Sequence, residues 1–272
     1  MGYYTNTIHS IAIGSFDGMH IAHQALIKKA EAVVIIERNS GYLTPGYKRS
    51  LYTEKPCYFY HFDKIRHLSP KAFVERLEQD FPLLEKIIVG YDFAFGKAKV
   101  GNVKVLRELF KGEVEVVDEI KIEGISVHSR VIKTFLKEGN IAKVNLLLGR
   151  YYSIDAEVIR GQGIGSKKLV PTLNLRVHSY QLPSEGVYAT CTKIGKREYD
   201  SVSFVGHRLS TDSAFAVETH LIDQTVTYNS GTVTLFFVGF LRTNKTFTSF
   251  EKLKMQIEND IADAKAVLKG RV

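Results

Sequence analysis

At 272 residues with 44% hydrophobic content, the chain is long enough to bury a full core and to form two ordinary domains. Its formal net charge of +8 attracts polyanions but does not choose among nucleic acid, anionic membrane and nucleoside triphosphate. Cys57 and Cys191 lack Cys-x-x-Cys spacing, which argues against a disulfide framework or a zinc knuckle. With no signal-peptide pattern and no apolar run near the roughly 20 residues that span a bilayer, a soluble cytoplasmic protein is expected.

The first element in chain order is a short buried strand at Ile11 and Ile13, which runs directly into Gly14, Ser15, Phe16, Asp17 and Gly18. A helix entered at about His20 follows, with His20 and His23 on one face of its first turn. A strand that opens onto glycines and a helix start is where an α/β protein holds the phosphates of a nucleotide. Taken alone, His-x-x-His also fits a pair of surface histidines or part of a metal site.

Strands are expected at 33–36, 58–62, 86–89 and 114–117, with helices at 21–31, 70–79 and 102–110 between them. This alternation predicts a parallel sheet covered on both faces, with ligands at the carboxyl ends of its strands. A helix over Ile141–Leu148, capped by Asn140 and stopped by Gly149, ends the α/β pattern, so a domain boundary is expected between residues 149 and 150.

Short strands dominate after that, at 154–160, 186–193, 201–206, 214–222 and 231–241. Their spacing predicts a small antiparallel barrel. Leu253, Ile257, Ile261, Ala264 and Leu268 form the apolar stripe of a closing helix over 249–268 that should lie against it. The expected fold class is thus α/β plus β, with a Rossmann-like α/β/α half at 1–149 and a barrel half at 150–272.

The Gly14–His20 opening and His23 resemble the nucleotidyltransferase superfamily marked by a His-x-Gly-His signature after its first strand. They fit best the adenylyltransferase half of the bacterial bifunctional riboflavin kinase/FAD synthetase family. Val89–Gly96 resembles a second signature of that family, and His128–Lys133 stands where it has Ser-Ser-Thr-x-Ile-Arg. Ala22 replaces the second glycine of the first signature, and Glu37-Arg38-Asn39-Ser40 replaces a proline- and histidine-containing segment.

The barrel half resembles the riboflavin kinase part of the same family. The match runs through Leu148–Tyr152, Gly161, Gly165, Pro171-Thr172-Leu173-Asn174, Gly186–Ala189, Val217–His220 and Phe240–Phe247. Counting from Gly161 excludes both a Walker A loop and a Gly-x-Gly-x-x-Gly dinucleotide loop.

The resemblance implies an enzyme that phosphorylates riboflavin to FMN in its C-terminal half and adenylylates FMN to FAD in its N-terminal half, using ATP and Mg2+ in both steps. In the first half, His20 and His23 would be the catalytic contacts to the ATP phosphates, Ser129 and Arg130 would stabilise the departing pyrophosphate, Gly14, Ser15, Phe16, Asp17 and Lys133 would also bind the nucleotide, and Asp92 to Phe95 would line the flavin side. In the second, Gly161, Gly163 and Gly165 would approach phosphates, Thr172 and Asn174 would hold the metal from one side of a strand, Glu218 would be the general base and Arg242 would face the flavin. The expected partners are riboflavin, FMN and ATP, with neither nucleic acid nor membrane. The sequence specifies no oligomeric state. The alternative readings keep the kinase beside a degenerate N-terminal nucleotide-binding domain, or make the chain a non-enzymatic flavin- or RNA-binding regulator.

Overall fold

The computed structural model describes residues 7–38, 42–160, 170–209, 213–224, 228 and 230–270. The chain divides into two compact units, Met1–Ser129 and Arg130–Val272.

The first unit is built on a five-stranded parallel sheet: β1 (Ser10–Gly14), β2 (Ala32–Glu37), β3 (Cys57–His61), β4 (Lys86–Gly90) and β5 (Glu113–Val117), in the order β3-β2-β1-β4-β5. Helices α1 (Ile21–Ile27), α2 (Phe62–Ile65), α3 (Pro70–Asp80) and α4 (Val103–Leu109) connect the strands. Alternate residues of the central strands enter different cores, as a pleat of period two requires. Ile11, Ile13, Ile87 and Val89 pack with Phe73, Val74 and Leu77 of α3 and Leu106 of α4. Ala12, Val33 and Ile88 pack on the other face with Leu26 and Ile27 of α1. Burying each of the larger side chains contributes about 1.5–3 kcal/mol. The strand order reverses between β1 and β4, which opens a crevice at their carboxyl ends.

A hairpin, β6 (Lys121–Ile122) with β7 (Ile125–Ser126), follows β5 and was not expected from the pattern. Next come α5 (Ser129–Lys137) and α6 (Ile141–Leu148). The sequence places the caps of α6 correctly: Asn140 Oδ1 accepts from Lys143 N at 3.2 Å, and Gly149 closes the helix at φ +70°. Helix α6 belongs by packing to the second unit, where the Asn145 side-chain amide donates to Phe237 O at 3.0 Å.

The second unit is a closed barrel of β8 (Tyr152–Ile159), β9 (Leu173–Val177), β10 (Gly186–Ile194), β11 (Arg197–His207), β12 (Phe215–Leu221) and β13 (Thr232–Thr243), in the order β10-β11-β12-β9-β8-β13. Strand β9 starts at Leu173, just after the Thr172 that the metal argument expects on it. The closing helix α7 (Phe250–Lys269) is capped by Ser249, and its Ala264 and Leu268 pack on Val187, Ala189 and Val202. The opposite faces of the same strands carry hydroxyls into the barrel. Thr190, Thr192, Ser201, Ser203 and Thr219 are fully buried and satisfy one another at 2.7–3.2 Å. Among the described residues, no helix is long and apolar enough to cross a membrane.

Candidate active sites of the two units

In the first unit the loop from β1 to α1 is held in a costly shape. Phe16, Gly18 and Met19 have φ of +49°, +91° and +44°, and two of these are not glycine. Burial offsets the strain, because the Phe16 and Met19 side chains lie in the core beneath the loop. The Phe16 ring therefore offers no surface to a nucleotide, which corrects its expected role. It also explains Gly14, where a Cβ would lie 3.3 Å from that ring.

His20 is the N-cap of α1, its Nδ1 accepting from His23 N at 3.3 Å. The two imidazoles stack with centroids 3.4 Å apart, and the Phe16 edge supports His23 at 5.1 Å. The loop thus brings His20 and His23 together, with Ser15 exposed beside them.

Asp17 has a different occupation from the expected one. Its Oδ1 accepts from Leu43 N at 2.8 Å and Thr44 N at 3.1 Å, pinning the segment after β2 to the signature loop. Ser129 Oγ donates to Asp17 O at 2.7 Å, so that hydroxyl proton serves the loop rather than a pyrophosphate. Arg130, exposed, and Lys133 fall in the second unit on α5.

The second signature occupies the end of β4. Asp92 is exposed, 3.9 Å from His128 Nδ1, while Tyr91 Oη lies 2.9 Å from His128 Nε2. Phe95 is mostly core but also lines a cleft with Phe62, Phe73, Ile36, Arg38 and Lys99. Arg38 stands over the Phe62 ring at 4.7 Å. Asp92 is not part of that lining.

In the second unit, a cavity lies between the barrel and α7. Glu218, Thr172 and Arg242 all line it, beside the apolar Val187, Val202, Phe204, Phe247 and Ile257. Thr172 precedes β9 instead of lying on it, so the argument that Thr172 and Asn174 share one face of a strand fails. The ladder supplies a different neighbour: Asn174 stands directly opposite Glu218 in the β9–β12 pairing. His220 Nδ1 lies 2.8 Å from Pro171 O, which fastens the chain just before Thr172. Glu218 Oε1 accepts from Arg208 Nη1 at 3.3 Å. Gly161, Gly163 and Gly165 lie outside the described residues.

Arg242 is engaged by Asp260 through Nε and Nη2, both at 2.7 Å, and it remains on the cavity wall. Three participants escaped sequence reasoning: Arg208, Asp260 and His128. Asp260 had a visible signal, as an acid three residues after Ile257 and four before Ala264, on the apolar face of the closing helix.

A family model described as riboflavin kinase matches residues 148–268, and one described as FAD synthetase matches residues 53–131. The two matches follow one another in this chain as in the bifunctional riboflavin kinase/FMN adenylyltransferases, which it resembles over nearly its whole length. Relatives bearing that name include proteins of Listeria monocytogenes, 27% identical with 97% of this chain and 93% of theirs covered, and of Mycoplasma pneumoniae, 26% identical with 94% and 96% covered. A Bacillus subtilis relative of the same name is 25% identical, covering 93% of this chain and 90% of its own. A solved Streptococcus pneumoniae structure described as a macrolide-efflux protein shares the fold, with a TM-score of 0.85 at 22% identity over 96% of this chain and 95% of that one.

The cavity under α7 lies within the residues that match riboflavin kinase, and the end of β4 within those that match FAD synthetase, while the loop after β1 precedes that second match. The Mg2+ that the family reading implies would need hard oxygen donors. Thr172, Asn174 and Glu218 provide a hydroxyl, an amide carbonyl and a carboxylate, and the last two are ladder neighbours, so the residues fit.

Proposed function

We propose that the chain makes FAD in two ATP-dependent steps, in the cytoplasm: riboflavin to FMN in the barrel unit, then FMN to FAD in the sheet unit. The observation that carries the reading is the cavity under α7, where Glu218 faces Asn174 across the ladder, with Thr172 on the wall and apolar side chains able to take a flavin ring.

In the first step the primary hydroxyl of riboflavin attacks the γ-phosphorus of ATP. Glu218 takes the hydroxyl proton as the O–P bond forms, and the bond to ADP breaks. Arg208, hydrogen-bonded to Glu218, keeps positive charge beside that carboxylate. Thr172 and Asn174 would hold the Mg2+, which when bound neutralises phosphate charge. Val187, Phe204 and Phe247 line the apolar side for the isoalloxazine.

In the second step a phosphate oxygen of FMN attacks the α-phosphorus of a second ATP, and the bond to pyrophosphate breaks. No protein nucleophile is needed, so alignment and charge stabilisation dominate. His20 and His23, stacked at the carboxyl end of β1, are the donors at the triphosphate. The aromatic cleft of Phe62, Phe73 and Phe95, with Arg38 and Lys99 on its wall, suits the flavin and its phosphate.

Chromatography of products after supplying riboflavin, ATP and Mg2+ tests the reading. FMN followed by FAD is expected. FMN alone would assign the sheet unit a binding role, and neither product would remove the enzymatic reading.

A further inference from the structure

We propose that His128 is a positioning residue for adenylyl transfer, tying the loop after β4 to the loop after β1 through its neighbour Ser129. The proposal rests on the FMN adenylyltransferase reading of the sheet unit.

The crevice at the carboxyl ends of β1 and β4 lies where the strand order reverses, and a different loop forms each of its sides. The β1 side carries His20 and His23. The β4 side carries Tyr91 and Asp92. Two consecutive residues reach one side each. Ser129 Oγ donates to Asp17 O at 2.7 Å, and His128 Nε2 lies 2.9 Å from Tyr91 Oη. Because consecutive Cα atoms are about 3.8 Å apart, the dipeptide fixes the spacing of the two loops.

The imidazole is held at Nε2 by Tyr91, whose hydroxyl also lies 3.5 Å from Glu119 Oε1, while Asp92 Oδ2 stands 3.9 Å from Nδ1, beyond hydrogen-bonding distance. Glu119 stays ionised, because hydrogen bonds from Ser126 and then Lys121 hold its carboxyl below the usual range.

The chemistry depends on that spacing. If the triphosphate lies on the β1 side and the FMN phosphate on the β4 side, the loop separation sets the attack distance, and a misplacement near 1 Å costs on the order of 10²-fold in rate. His128 acts through Tyr91 and the loops, without touching the reacting atoms.

The test uses the full chain with His128→Ala, Tyr91→Phe, their double variant and His128→Asn, assaying both half-reactions. His128→Ala is expected to lower kcat for FAD formation from FMN by about 10- to 100-fold. KM for ATP should stay near its starting value, and riboflavin phosphorylation should be unchanged. Tyr91→Phe should cost a similar amount, the double variant no more than either single one, and His128→Asn should recover part of the rate. Additive losses, or a parallel fall in kinase activity, would overturn the proposal.

Amide hydrogen exchange on the same chains gives a readout independent of turnover. His128→Ala should speed exchange in residues 15–19 and 91–93 together. If the unaltered chain makes no FAD, the functional reading fails while the tie is still judged by exchange. Unchanged exchange in either loop removes the tie whatever the activity.

Discussion

Arg242 and Asp260 meet in a two-armed ion pair, Nε to Oδ1 and Nη2 to Oδ2, that joins the end of β13 to the middle of α7. Asp260 is 3% exposed and also accepts from Gln256 Nε2 at 2.9 Å, so the carboxylate is buried and well supplied with donors. Planar guanidinium and carboxylate match on both arms, which gives the contact its directionality. Both residues line the cavity under α7. The pair therefore fixes one wall of that cavity, and Phe247 adds to it by lying 5.8 Å from the guanidinium.

Asp260→Ala is expected to destabilise the barrel unit by about 3–5 kcal/mol, since the Arg242 cation is left without its buried partner. Urea unfolding followed by amide exchange in β13 and α7 reads this directly. The KM for riboflavin should rise as the wall loosens. Asp260→Asn keeps hydrogen-bonding capacity and should lose less on both measures.

The two sites should be separable by single substitutions. Glu218→Gln preserves shape and removes the base, so FMN formation should fall by roughly 10²- to 10⁴-fold while FMN-to-FAD conversion continues. His23→Ala removes one of the two stacked imidazoles and should reduce FAD formation alone. Assaying both half-reactions on both variants decides it. Unchanged kinase activity in Glu218→Gln would take that residue out of the mechanism.

Ala22 is the second residue of α1, half-buried, two residues past the His20 cap. Replacing it with glycine removes a methyl from the approach to the triphosphate but adds backbone freedom, costing at most about 1 kcal/mol of helix stability. FAD formation should stay level or rise. A clear loss on Ala22→Gly would show that the pocket is built around the methyl group.

What the sequence made legible follows from the range of the interactions involved. Strands β1 and β4 announce themselves through unbroken apolar runs, and the bounds of α6 through Asn140 and Gly149, because pleat and cap signals lie within a few residues of the element they define. The extent of β9 is not legible, since Leu-Asn-Leu-Arg-Val is short and follows close on a proline: the metal argument expects a strand that includes Thr172, whereas pairing with β8 and β12 starts it at Leu173. The contacts that Phe16, Asp17 and Ser129 make within the protein are not legible for a similar reason. Their partners, the core under the loop, Leu43 N and Asp17 O, are set by tertiary structure. Glu218 was read from its motif, but Arg208, its guanidinium neighbour, is brought near only when β11 pairs with β12.

Acid should loosen the edge of the sheet unit around Glu115. Hydrogen bonds from Lys29 and then Lys86 hold its carboxyl below the usual carboxylate range. A group whose folded pKa is depressed contributes stability that is present above its unfolded pKa, near 4.3, and is lost as pH falls through the folded value. The urea midpoint of the sheet unit should therefore drop as pH is lowered below about 4. Glu115→Gln should make that dependence shallower. An equally steep acid dependence in the variant would show that other carboxylates carry it.

The division of the chain makes a final prediction about truncation. The change from α/β pattern to short strands points to residue 150, whereas packing divides the chain between Ser129 and Arg130 and leaves α6 with the barrel. Ile141, Val144, Leu147 and Leu148 of α6 are buried. Asn145 fastens the helix twice, accepting from Tyr152 N at 2.7 Å and donating to Phe237 O. A fragment beginning at residue 150 gives up these four apolar side chains, each contributing about 1.5–3 kcal/mol when buried, out of a total domain stability typically about 5–15 kcal/mol. We therefore expect residues 130–272 to unfold cooperatively and to phosphorylate riboflavin, and residues 150–272 to be far less stable or unfolded. Circular dichroism melts and kinase assays on the two fragments compare them. Equal stability would place the working boundary at the change in sequence pattern and make α6 an appendage of the barrel.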